Sequence, residues 1–126
     1  MSIEDICKKY GIKIEYFDKD LWNRNGIYIE EIKVVFVSKD LAPEKQKQVI
    51  LHELGHINHT EREYQNALIR CENEANRNMI HHLLEDALTQ LDTPSDFNYL
   101  QFMERYNLKT TTDEVMVKEE YLALLK

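Results

Sequence analysis

The sequence predicts an α+β domain in which a small antiparallel sheet of about three strands packs on a mainly helical body. Three observations lead to this fold class. A short amphipathic helix opens the chain, alternating apolar residues follow up to about residue 37, and helical spacing dominates from residue 43 onward. The chain has 126 residues, enough to bury a hydrophobic core, so one domain spanning 1–126 is expected.

The first elements are predicted from a cap and from alternation. Residues 3–10 form the first expected helix, and Gly11 lies where a C-cap glycine belongs. Alternating side chains over 12–17 predict a strand. Two further strands, near 27–29 and 32–37, are expected to pair with each other as a hairpin.

Helix-start signals recur through the rest of the chain. Pro43 suits the first position of a helix, and the sequence Thr60-Glu61-Arg62-Glu63 has the form of a capping box that opens a long helix. Proline at 94 ends that long helix. A C-terminal helical pair within 94–126 follows, with helices near 94–106 and 112–125 and a capping-box sequence at Thr111-Thr112-Asp113-Glu114.

Composition and charge exclude several classes of protein. The N-terminal residues resemble neither a secretory signal nor a transit peptide, and no apolar run reaches the roughly 18 residues of a membrane span. A cytoplasmic protein with Cys7 and Cys71 as reduced thiols is therefore expected, with no membrane partner. The net charge of -7 disfavours direct binding to nucleic acid, because phosphate backbones require a basic face.

The chemistry of the chain centres on His52-Glu53-Leu54-Gly55-His56, which has the pattern HExxH. On a helix the i, i+4 spacing places both imidazoles on one face, where two nitrogens can reach one Zn²⁺ ion. Glu53 is not a ligand but is positioned as a general base for the attacking water. Gly55 leaves room for close approach of a substrate or a neighbouring strand.

A catalytic zinc ion needs a third protein ligand, for which Glu72 and Glu74 on the next helix are the candidates. The two glutamates are two positions apart, so only one of them can face the metal. Glu72 is preferred because Asn76 then lies one turn along the same face and can hydrogen-bond a ligand histidine. Glu74 then points elsewhere. The alternative is that both glutamates belong to a solvated helix face.

Two segments resemble the ImmA/IrrE-type metallopeptidases: residues 49–56, which contain HExxH, and Glu72-Asn73-Glu74-Ala75-Asn76, which is similar to that family's ExEAN segment. The resemblance implies a zincin-like body and zinc bound by His52, His56 and Glu72, with Glu53 as general base. It also implies a protein substrate, a DNA-binding repressor with a helix-turn-helix domain, which is cleaved to derepress genes of a mobile element or prophage. The residues after Asn76 depart from the family pattern. This departure leaves the expected metal ligands intact and affects only the expected shape of the substrate cleft.

Other side chains have weaker functional interpretations. His59 is expected to be a loop residue, although it extends the histidine face by about one turn. His81, His82 or Tyr64 could stabilise an oxyanion, but surface positions for the histidines and a core position for the tyrosine are the simpler expectations. Both cysteines are expected to be small buried hydrophobic residues.

Two other functions stay open at this point. The chain could be a non-proteolytic antirepressor or regulatory binding module that holds its partner through the C-terminal helices and uses a structural metal. The aromatic residues over 97–106 would then form a partner surface, although helix packing explains them more simply. The chain could also be a helical domain in which the HExxH pattern is accidental.

Overall fold

A computed structural model describes residues 2–57, 59, 66–93 and 96–125. Within them one helix precedes three strands, and helices form the remainder, which confirms the α+β class. The elements are α1 (Ile3–Tyr10), β1 (Lys13–Phe17), β2 (Gly26–Ile29), β3 (Val34–Ser38), α2 (Pro43–Leu54), α3 (Leu68–Thr89), α4 (Tyr99–Arg105) and α5 (Thr111–Leu124). No described helix has the length and apolar character needed to cross a membrane.

The first helix has the predicted bounds. Ser2 and Asp5 form a capping box, in which the hydroxyl of Ser2 accepts from the N–H of Asp5 at 3.1 Å. Gly11 ends the helix with a φ of 67°, a conformation that glycine adopts at little cost. The chain then enters β1 directly, with the N–H of Ile12 donating to the carbonyl of Cys7 at 2.8 Å.

The sheet has three strands in the order β1-β3-β2. The predicted hairpin is present, since β2 runs antiparallel to β3 with Gly26 opposite Val37. The expectation of a wholly antiparallel sheet is corrected, because β1 pairs with β3 in parallel, with Lys13 opposite Val34. Of the described strands β3 is the most buried, and it takes the centre of the sheet between β1 and β2. The chain reverses direction after β1 and again after β2, so β1 and β3 run the same way where they pair.

The core lies between the sheet, α2 and α3. Val35 and Val37 from β3 contact the same cluster as the apolar face of α2, and α3 closes the other side of that helix. Helices α4 and α5 add to the same core. Its members from the helices are Ile6, Ile50, Leu51, Leu54, Met79, Ile80, Leu83, Leu84, Phe102, Met103, Met116 and Val117.

Both cysteines are free thiols, as expected. Cys71 is fully buried in α3, whereas Cys7 is half-buried. The aromatic residues of the C-terminal part pack among themselves: Phe97 stacks on Tyr121 with ring centroids 4.9 Å apart, and Phe102 is buried. These contacts agree with the simpler explanation of that aromatic cluster, which was helix packing.

Several helix boundaries differ from the predicted ones. The long helix α3 begins at Leu68, and the predicted capping box at 60–63 lies outside the described residues, as does Tyr64. Helix α4 begins at Tyr99 rather than near 94, because the side chain of Asn98 caps it. Helix α5 has its capping box one residue earlier than predicted, with Thr110 paired to Asp113.

Candidate metal centre

Helix α2 presents the HExxH residues toward α3. It begins at Pro43 as predicted, and its apolar face is buried in the core. The regular helix ends at Leu54, but Gly55 keeps right-handed helical angles and the N–H of His56 donates to the carbonyl of Glu53 at 3.0 Å. The rings of His52 and His56 therefore lie on one side, with centroids 5.1 Å apart.

Gly55 allows α2 and α3 to approach closely. A Cβ atom added at Gly55 would lie 2.6 Å from the Cα of Ala75 and 3.1 Å from its carbonyl oxygen. Such contacts are shorter than van der Waals distances and involve main-chain atoms, which cannot rotate away. The space at this glycine is therefore taken by the neighbouring helix, where the sequence led us to expect a substrate or a strand.

His52, His56 and Glu72 come together at this crossing. The Nε2 atom of His52 lies 3.1 Å from one carboxylate oxygen of Glu72, and the Nε2 atom of His56 lies 3.3 Å from the other. One ligand atom from each residue falls within 4.8 Å of the others, and among the described residues this is the one group of three that could hold a metal ion. We call these three residues the triad.

Burial affects the charge of His56, the residue of the triad that follows α2. Burial, together with the adjacent imidazole of His52, lowers the pKa of His56 to about 4. At neutral pH His56 is therefore uncharged and carries a lone pair on one nitrogen, which is the form that binds metals.

Glu53 lies beside the triad and faces a cavity. Its Oε2 atom accepts a hydrogen bond from the main-chain N–H of Tyr28 in β2 at 3.2 Å. Burial raises the pKa of the Glu53 carboxyl, and the nearby His52 and the amide of Tyr28 offset this effect only in part. The cavity has a volume of about 420 Å³ and is also lined by Asn76 and Arg24.

The hydrogen bond expected of Asn76 is present. Its Oδ1 atom lies 2.8 Å from Nδ1 of His52, so the imidazole donates through Nδ1 and keeps its Nε2 lone pair toward Glu72. One turn along α3 from Glu74, the side-chain amide of Asn78 donates to the carbonyl of Leu51 at 2.9 Å. Helix α3 thus holds both the main chain and one histidine of α2.

His59 and Glu74 have a place that the sequence did not reveal. Glu74 points away from the triad, as expected, but its Oε2 atom lies 2.6 Å from Nε2 of His59. The Nδ1 atom of His59 lies in turn 3.0 Å from Nδ1 of His56. The i, i+3 spacing of His56 and His59 was the available sequence signal for their contact. The partner of His59 on its other side, Glu74, comes from helix α3, and no sequence signal linked the two.

The other histidines lie away from the cavity. His81 pairs with Glu120 at 3.5 Å and with Glu85 at 3.9 Å, and the ring of His82 packs against it. Neither lines the cavity beside Glu53, so the structure gives no support to an oxyanion role for them. Arg24 does line this cavity, and no motif pointed to it because it lies in the connection between β1 and β2.

A comparison with known families identifies the family of this chain. The model of the Peptidase_M78 family, described as the IrrE N-terminal-like domain, matches residues 7–118, which include the triad and Glu53. The chain belongs to the Peptidase_M78 family. The resemblance to ImmA/IrrE-type proteins is thereby confirmed, and membership in a metallopeptidase family agrees with a triad that could bind a metal ion. Neither curated proteins nor solved structures gave a match to this M78 chain.

Proposed function

We propose that this M78 protein is a zinc-dependent endopeptidase. The observation that carries the proposal is the convergence of His52, His56 and Glu72 within 4.8 Å of one another beside the half-buried Glu53. Two imidazole nitrogens and one carboxylate oxygen are the donor set of many catalytic zinc sites, which keep a further position open. When bound, zinc would polarise the scissile carbonyl and make water a stronger acid.

Glu53 is the proposed general base. Its carboxylate accepts a proton from the attacking water and then transfers this proton to the leaving amine. The N–H of Tyr28 holds one of its oxygens, so the other can turn toward the cavity. Because burial raises the pKa of the Glu53 carboxyl, the group is a better proton acceptor than an exposed glutamate.

The proposed substrate is a DNA-binding repressor with a helix-turn-helix domain, and its cleavage would derepress genes of a mobile element in the cytoplasm. Support comes from the family, which is described as the IrrE N-terminal-like domain, and from the net charge of -7, which favours a basic protein over nucleic acid as partner. The cavity beside Glu53 offers room for one or two side chains of an extended segment.

The test combines metal content with cleavage. Purified protein should hold about one zinc ion per chain, and Glu72→Ala should lose it while keeping the fold. Glu53→Gln should keep the zinc and the fold but abolish cleavage of a co-expressed helix-turn-helix repressor, with fragments identified by mass spectrometry. Glu104→Gln, at an exposed position of α4, is the matched control and should cleave as the wild type does. Absence of zinc from the folded wild type would reject the proposal.

A second candidate is a non-proteolytic antirepressor that uses the metal structurally. The observation that favours it is the set of exposed apolar side chains on the C-terminal helices, where Leu100 is 65% exposed and Leu122 59% exposed. This candidate predicts that Glu53→Gln leaves repressor inactivation intact in a reporter assay. Loss of derepression in Glu53→Gln, with zinc retained, would exclude it.

A further inference from the structure

A chain of hydrogen bonds runs from the triad to the surface of α3. Nδ1 of His56 lies 3.0 Å from Nδ1 of His59, and Nε2 of His59 lies 2.6 Å from Oε2 of Glu74. The main-chain N–H of His59 also donates to the main-chain carbonyl of His56 at 2.9 Å. The side chain of His59 is only 5% exposed, whereas that of Glu74 is half exposed, so the chain connects a buried site with an outer carboxylate.

The donor and acceptor roles along this chain follow from its outer end. A carboxylate at neutral pH only accepts hydrogen bonds, so the proton between His59 and Glu74 must belong to Nε2 of His59. When His59 is neutral it has one N–H, and its Nδ1 is then an acceptor. In that form Nδ1 of His56 is the donor, which leaves the lone pair of His56 on Nε2. That nitrogen is the one that lies 3.3 Å from Glu72.

We propose that His59, held by Glu74, is a positioning residue that fixes the tautomer and ring orientation of His56 for metal binding. The inference rests on the proposed function, because it assigns the triad to a metal ion. It goes further in extending the site to a residue outside HExxH and to the second glutamate of the ExEAN segment. Asn76 does the same for His52 through a single hydrogen bond, so each histidine of the triad has its own support.

A direct ligand role for His59 does not fit the geometry. Its Nδ1 atom faces Nδ1 of His56, which is the nitrogen on the far side of that ring from Glu72. Its other nitrogen is occupied by Glu74. His59 therefore supports the triad from behind.

The first measurement uses metal-free protein and nitrogen NMR of the imidazole rings, which reports which nitrogen carries the proton. In the wild type, His56 should be protonated on Nδ1 alone. Glu74→Ala removes the acceptor at an exposed position, so folding should be preserved, and His56 should then populate both tautomers. His59→Leu should have the same effect, while His59→Gln should restore the wild-type tautomer because its amide oxygen can accept from Nδ1 of His56.

The second measurement is zinc affinity, from competition with a chelating dye. Glu74→Ala and His59→Leu should each bind zinc about 10–100-fold more weakly than the wild type, as for other residues that support metal ligands. His59→Gln should recover most of the affinity. Arg70→Ala is the matched control: it removes a second ion-pair partner of Glu74 among the described residues, at 3.5 Å, and should leave the zinc affinity unchanged.

The two proposals fail in different ways. A wild-type protein that binds no zinc rejects the metallopeptidase, whereas the tautomer of His56 in metal-free protein tests the role of His59 alone. The role of His59 is rejected if wild-type His56 carries its proton on Nε2. It is also rejected if Glu74→Ala, folded by circular dichroism, keeps both the wild-type tautomer and the wild-type zinc affinity.

Discussion

Replacing Gly55 with alanine tests whether the approach of α2 to α3 builds the triad. The added methyl group would lie 2.6 Å from the Cα of Ala75, whereas carbon atoms pack at about 3.5–4.0 Å, so the helices must separate by about 1 Å. Because metal–ligand distances tolerate only about 0.2 Å, a shift of this size at the crossing separates Glu72 from the histidines. Overpacking of this kind also costs about 1–3 kcal/mol of stability.

The assay compares denaturant unfolding of metal-free protein with zinc affinity measured by chelator competition. Gly55→Ala should lose about 1–3 kcal/mol in the free energy of unfolding and at least about tenfold in zinc affinity. Gly11→Ala is the control, because Gly11 has a φ of 67° and no atom of the described residues lies within 4 Å of the added methyl group. It should lose about 1 kcal/mol from backbone strain but bind zinc normally. Normal zinc affinity in a folded Gly55→Ala protein would refute the proposed role of the helix crossing.

Three further predictions concern the support of His52, the binding of zinc and the titration of His82. Asn76→Ala should weaken zinc binding by about 10–100-fold, because His52 loses its hydrogen-bond acceptor, and Asn73→Ala, at an exposed position of the same helix, should not. Saturating zinc should raise the melting temperature of the wild type but not of Glu72→Ala, as scanning calorimetry would show. Burial lowers the pKa of His82, so the unfolded chain takes up a proton more readily as the pH falls below about 6.5, and stability declines. His82→Phe should therefore reduce the stability lost between neutral and acidic pH, measured by urea unfolding, and an unchanged loss would contradict this assignment.

Local signals predicted much of the fold. Gly11 as a C-cap, Pro43 as a helix start and the β2–β3 hairpin depend on neighbours in sequence, and all three are present. The parallel pairing of β1 with β3 depends on which strand takes the centre, which is a property of the packed sheet. Helix α4 begins at Tyr99 because the side chain of Asn98 accepts from the N–H of Gln101. The proline at 94 favoured an earlier start, so this cap was not predicted from the sequence.

The sequence predicted the three residues of the triad but not the partner of Glu74. HExxH fixes the spacing of His52 and His56 within one helix, so both rings could be placed from the sequence alone. Glu72 could be chosen over Glu74 by helical geometry together with Asn76, and its carboxylate lies between the two rings. The partner of Glu74 could not be found in this way, because His59 reaches it across the contact between two segments 15 positions apart.

The sequence Glu72-Asn73-Glu74-Ala75-Asn76 can now be understood position by position. Glu72 faces both histidines of HExxH, Asn76 orients the first, and Glu74 orients the second through His59. Ala75 is fully buried where Gly55 crosses it, so a larger side chain at either position would separate the parts that the other three residues join. A metal centre assembled in this way depends on one helix crossing, and substitutions at the two small residues should impair it as strongly as loss of a supporting hydrogen bond.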